Sequence, residues 1–124
     1  MNWPIDTVNR INQADDMEIA AYREDSKTTG SLTRVWAVAV SGRLFVRAYR
    51  GTASSWYQAA LAQQGGMIRT GGEEMAVRFI KTDDELLNER VDSAYRIKYA
   101  DSNYLASMIS PRVRPTTLEI VPAE

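Results

Sequence analysis

Residues 35–40 read VWAVAV, apolar at every position, and such a run predicts a strand covered on both faces. Ser41-Gly42 then supplies a two-residue turn in which the glycine takes a positive φ. The return strand, 44–49, puts Leu44, Val46 and Ala48 on one face and Phe45, Arg47 and Tyr49 on the other, so Arg47 is flanked by rings. Upstream, 17–23 alternates Met17, Ile19 and Ala21 with Glu18, Ala20 and Tyr22. Downstream, a short strand at 67–70 turns at Gly71-Gly72 into 73–81, where Met75, Val77 and Phe79 oppose Ala76, Arg78 and Ile80. A closing strand is predicted over 116–121.

Between these strands the period changes to that of a helix. Pro4 suits a first turn, and Ile5, Val8 and Ile11 share a face, which predicts a helix over 4–13. Ser55-Trp56-Tyr57-Gln58 matches the S-x-x-Q capping box and predicts a helix over 54–63, stopped by Gly65-Gly66. The longest helix starts at an Asp83 N-cap and runs to about Tyr99 on a stripe of Leu87, Val91, Ala94, Tyr95 and Lys98, widened by Leu86 and Ile97. Residues 101–109 predict a further helical turn, and 24–33, EDSKTTGSLT, a surface loop. Six short, mostly hairpin-linked strands with helices between them predict a small α+β, six-stranded antiparallel β-barrel with flanking helices. It is expected to form a single domain over residues 1–124.

Composition narrows the chemistry. At 124 residues with 44% hydrophobic and 25% charged side chains, the chain can bury one ordinary core. Fifteen basic and sixteen acidic side chains leave a net charge of −1, and the arginines are scattered, so a nucleic-acid partner is not expected. The absence of His and Cys excludes Ser/His and Cys/His dyads and the common zinc sites, and no metal is expected. No window approaches a membrane span and the first residues lack a signal pattern, so the expectation is a cytoplasmic protein without a membrane partner.

One segment stands out chemically. From Arg47 to Ser55 the chain offers two guanidinium groups, three hydroxyls and the free N–H groups of a helix start, the equipment of a phosphate site. A purely structural role accounts for the same residues: Arg47 over Phe45 or Tyr49 as a cation–π pair, with residues 52–55 capping the helix. Trp36, Trp56 and Tyr57 are flat surfaces for a conjugated ring, or core filler.

The stretches VWAVAVSGRLFVRAYRG, SSWYQAAL, GMIRTGG, DSAYRIKYA and TTLEIVP resemble the bacterial domain of unknown function 2255. The layout of that family is similar to the flavin-binding split barrels, which include pyridoxamine-phosphate-oxidase-like enzymes and deazaflavin-dependent reductases. The resemblance implies a split barrel, a homodimer with the cofactor between subunits, and FMN or a deazaflavin as that cofactor. It makes Arg47 and Arg50 phosphate ligands assisted by Ser54, Ser55 and local backbone N–H groups, with Trp56 and Tyr57 bordering the ring. The implied activity is that of an oxidoreductase. A cofactor-free dimeric module holding a small acidic molecule or a protein stands beside it.

Overall fold

The computed structural model describes residues 3–25 and 27–123; Met1, Asn2, Ser26 and Glu124, which the expected domain and loop include, lie outside them. In chain order it runs α1 (Ile5–Gln13), β1 (Met17–Ala21), β2 (Thr33–Val35), β3 (Ala37–Val40), β4 (Arg43–Val46), α2 (Ser55–Gln63), β5 (Gly65–Thr70), β6 (Glu73–Lys81), α3 (Glu85–Lys98), the short α4 (Leu105–Met108) and β7 (Leu118–Pro122). All sheet neighbours are antiparallel, in the order β2-β1-β5-β6-β7-β4-β3. The two outermost strands, β2 and β3, are consecutive in the chain and separated by Trp36 alone. The sheet therefore curls into a nearly closed barrel whose seam is a single residue.

This corrects the expected strand count from six to seven. Residues 35–40 do not form one strand: Val35 pairs with Met17 at the end of β2, and Ala37 pairs with Val46 at the start of β3. A chain that leaves one ladder to join another drops a residue between them, and the carbonyl of Trp36 then needs a new donor. Tyr95 of α3 supplies it, its hydroxyl donating at 2.7 Å. The free side of β3 is closed in the same manner. Lys98 donates to the carbonyl of Ala37 at 2.6 Å, and the N–H of Ala39 donates to the Asn12 side chain at 3.3 Å. Side chains of α1 and α3 thus occupy groups that an edge strand would offer to another strand.

The alternation along β4 divides the core. Leu44 and Val46 point into the barrel with Ile19, Ile68, Phe79, Leu118 and Ile120, and α1 contributes Val8 and Ile11 while α2 contributes Tyr57 and Ala60. Phe45 and Val38 point outward under α3, where Val91, Tyr95 and Tyr99 cover them with Met108 and Val113. The two-sided burial expected for the VWAVAV run holds for Ala37 and Val38, and the outer cover is a helix of the same chain. In β6, Val77 and Phe79 are buried and Ala76, Arg78 and Ile80 exposed, as the alternation predicts.

Several local expectations change. Gly65-Gly66 does not end α2; Gln64 does, in a left-handed conformation, and both glycines belong to β5. Gly66 is needed because β1 passes so closely that a Cβ there would lie 2.1 Å from the Ala20 carbonyl oxygen. The cap of α3 is Asp84 rather than Asp83, its carboxylate accepting from the N–H groups of Leu86 and Leu87. The capping box at α2 is not made: Ser54 is the N-cap, and the Gln58 side chain donates to the Thr52 carbonyl instead. Leu86 and Ile97 do not widen the buried stripe but stand 59% and 82% exposed. The loop after β1 is held by Asp25, which accepts from the N–H groups of Lys27 and Thr28 and from the Thr28 hydroxyl. Among the described residues no helix is long and apolar enough to cross a membrane.

Lys98 makes the closure of β3 sensitive to pH. Burial pulls its pKa down to about 8 from 10.5, against the charges of Asp15 and Asp16. Between these values the unfolded chain holds a proton that the folded chain has released, so this group's penalty on folding is full below pH 8 and lifts as pH rises toward 10.5. Burial pushes the Tyr95 and Tyr99 phenols up, which opposes the trend above about pH 10. Urea unfolding of the wild type relative to Lys98→Gln should therefore show a stability difference that shifts in favour of the wild type from about pH 7.5 to about 9.5. A flat difference across that window contradicts the assignment.

Candidate functional site

Where β2 and β3 part, the chain leaves a pocket of about 350 Å³. Asp16, Thr33, Arg34 and Val35 line it from the β2 side, and Trp36 lines it at the seam. The segment after β4 and the start of α2 contribute Arg47, Tyr49, Arg50, Ser54 and Trp56, and the α4 region contributes Tyr104 and Met108. Four of these side chains are large aromatics. Trp36 is fixed from behind, its ring stacked on Tyr99 at 3.9 Å and 6°, while Tyr104 meets it edge-on at 6.5 Å. Tyr49 meets Tyr104 edge-on at 5.6 Å, and both of these tyrosines are exposed at the mouth. Edge-to-face and stacked contacts of this kind hold rings at defined angles.

Polar groups gather beside α2. The helix's first bond runs from the Gln58 N–H to the Ser54 carbonyl, so the N–H groups of Ser55, Trp56 and Tyr57 precede the intrahelical ladder and carry the positive end of its dipole. The side chain of Ser54 makes no capping bond. Arg50 is exposed on the pocket wall, and among the described residues no carboxylate lies within ion-pair distance of it.

Arg47 has a different fate. It is 1% exposed, and each of its five N–H donors has a protein acceptor in reach. Nε donates to the Thr117 hydroxyl, Nη1 to Asp92 and the Met108 carbonyl, and Nη2 to the carbonyl and side chain of Asn88. The guanidinium also lies 5.5 Å from the centre of the Tyr95 ring. Asp92 is shared with Arg114, whose Nε is 3.0 Å away but misaligned for a hydrogen bond, and Arg114 in turn pairs with Glu85 at 2.9 Å. A cation removed from water needs this degree of pairing. The expectation was that Arg47 binds phosphate; the structure directs each of its donors to a protein acceptor instead. Its work is to tie β7, α3 and α4 to the end of β4, and through the Met108 carbonyl it anchors one wall of the pocket.

The other expected site residues separate cleanly. Arg50, Ser54 and Trp56 meet on the pocket wall. Ser55 is exposed and lies off the lining. Tyr57 is 2% exposed and turned into the core, its hydroxyl 3.3 Å from the Pro115 carbonyl and 3.1 Å from the Lys81 ammonium. Successive helix residues point about 100° apart, and here Trp56 turns to the pocket and Tyr57 to the core. Sequence reasoning passed over Asp16, Thr33, Arg34, Tyr104 and Met108. Arg34 stands two positions before Trp36, but only the bend at Trp36 turns that segment toward the site; nothing in the periodicity of 101–109 marks Tyr104.

The chain belongs to the family described as "Uncharacterized protein conserved in bacteria (DUF2255)", whose match spans residues 7–120. In structure it is similar to the conserved hypothetical protein Rv2991 from Mycobacterium tuberculosis, with a TM-score of 0.69 and 12% identity over 100% of this chain and 82% of that one. It is also similar to a Listeria innocua protein described as "Putative Pyridoxamine 5'-phosphate oxidase", with a TM-score of 0.66 and 11% identity over 96% of this chain and 92% of that one. At these identities the likeness is one of fold, a nearly closed antiparallel barrel with flanking helices. No curated protein matches the chain.

Because Arg47 is buried against Asp92, its removal should be felt first as lost stability. Arg47→Met should lower the unfolding free energy by about 3–5 kcal/mol, and adding Asp92→Leu should recover part of the loss. Urea titration of the single and double variants checks this; a single variant within about 1 kcal/mol of the wild type would show the network to be looser than drawn.

Proposed function

We propose that the seam pocket binds a flat, conjugated, phosphate-bearing ligand of the FMN or deazaflavin kind, and that the protein is an oxidoreductase using it. The observation that carries this reading is one arrangement: an exposed Arg50 with no ion pair among the described residues, the Ser54 hydroxyl and the start of α2 beside a pocket walled by Trp36, Tyr49, Trp56 and Tyr104. A phosphate suits the first group, which combines a guanidinium, a hydroxyl and a helix N-terminus. A conjugated ring suits the second. When bound, such a ligand supplies the hydride chemistry itself, so the lack of His and Cys is no obstacle. The chain's own residues would hold the phosphate, fix the ring plane and keep water from it. At about 350 Å³ the pocket falls at the lower end of the ~300–1,000 Å³ of ordinary ligand sites, and the homodimer we include in this reading would deepen it by covering the exposed Tyr49 and Tyr104. The fold relationship to a protein described as a pyridoxamine 5'-phosphate oxidase supports the reading at the level of architecture.

A cofactor-free module for a small acidic molecule is the second reading. It is favoured by the engagement of Arg47, whose donors are taken up by protein acceptors, so that of the two arginines of this segment Arg50 is the exposed one. Both readings meet in one titration, followed by tryptophan fluorescence and visible absorption of the added chromophore. FMN or a deazaflavin should bind saturably, and Arg50→Ala should weaken it at least about tenfold at an unchanged melting temperature. Absence of saturable binding by either compound would remove the oxidoreductase reading and leave the cofactor-free one.

A further inference from the structure

Asp16 and Arg34 form a second polar group in the same pocket, on the β2 side of the seam. Register explains their meeting. Glu18 pairs with Arg34 and Met17 with Val35, so Asp16, the residue just before β1, comes beside the end of β2 that carries Arg34. The two charges come only to 3.8 Å, beyond a direct hydrogen bond, with the arginine side chain 80% and the aspartate 40% exposed. Other surface pairs close fully, Arg43 with Glu119 at 2.7 Å and Arg69 with Glu18 at 2.9 Å, while Arg69 with Glu74 is as open at 3.8 Å. The loose pair keeps acceptor and donor capacity that the tight pairs have used.

A carboxylate and a guanidinium side by side select by charge. A second anion would gain from Arg34 and be repelled by Asp16; a cation would meet the reverse. A neutral edge with an N–H next to a C=O satisfies both, the N–H donating to the carboxylate and the C=O accepting from the guanidinium. We infer that Asp16 and Arg34 read such a lactam- or imide-like edge on the ring of the bound ligand, while Arg50 and Ser54 hold its phosphate. This rests on the reading of the pocket given above and adds to it a rule of choice: among ring phosphates, the pocket prefers those with a uracil-like edge.

Two probes separate the rule from the reading beneath it. FMN carries a phosphate and an imide edge; pyridoxine 5'-phosphate carries a phosphate on a ring without that edge and has no aldehyde to react with lysines. Wild-type protein should bind FMN more tightly. Asp16→Ala and Arg34→Ala should each weaken FMN about tenfold and pyridoxine 5'-phosphate by less than about twofold, whereas Arg50→Ala should weaken both. Both positions of the edge pair are solvent-exposed enough that melting temperatures should not move. Equal effects on the two ligands, or none on FMN, would overturn the edge-reading pair while leaving the phosphate site standing. Failure of the wild type to bind either compound would overturn both.

Discussion

The fold turns on how the chain passes from one end of its sheet to the other through a single residue. Trp36 belongs to neither ladder, so its carbonyl would be an unpaired polar group at a buried seam. Tyr95 accepts the task of donor, and Tyr99, one helical turn further along α3, offers its ring as the surface on which the indole lies. The seam thus recruits α3 to the barrel through two tyrosines, and through Lys98 on the Ala37 carbonyl. The same break that demands these bonds leaves the gap that becomes the pocket. Structure and candidate function arise from one local failure of strand pairing.

Charge is distributed in the chain by a similar logic. Arg47 and Arg50 are three residues apart, yet one is sealed inside and the other faces solvent. The difference lies in what each meets. Arg47 ends on the α3 side of the strand, where Asp92, Asn88 and the Met108 carbonyl converge with Thr117. Removing one partner from such a cluster strands a charge in a place without water, which is why the cluster reads as architecture. Arg50 lies past the strand at an exposed turn, where among the described residues no carboxylate comes within ion-pair distance.

Much of the barrel was legible because period-2 alternation is a direct imprint of a wall with one buried face, as Val77 and Phe79 of β6 illustrate. The seam was not legible, since an all-apolar run looks the same whether it continues straight or bends between two ladders. Gly65-Gly66 misled for a related reason: glycine serves both to stop helices and to let strands approach closely, and only the position of Ala20 tells which. In the candidate site, sequence pointed to the helix start, Arg50, Ser54 and Trp56, and the fold brings these three side chains to one pocket wall. It could not see that Arg47 had partners 41 and 45 residues away, nor that Tyr104 would fold over the mouth. Those facts live in tertiary pairing, which no local pattern encodes.

The three tryptophans give a direct reading of where a ligand goes. Trp36 and Trp56 line the pocket, whereas the indole N–H of Trp3 is held by the Ile120 carbonyl at 2.7 Å, outside the lining. In an NMR titration of the ¹⁵N-labelled protein with FMN, the indole N–H signals of Trp36 and Trp56 should shift together and saturably while that of Trp3 stays in place. Saturable shifts confined to Trp3, or three indole signals unmoved by FMN, would contradict a binding site at the seam.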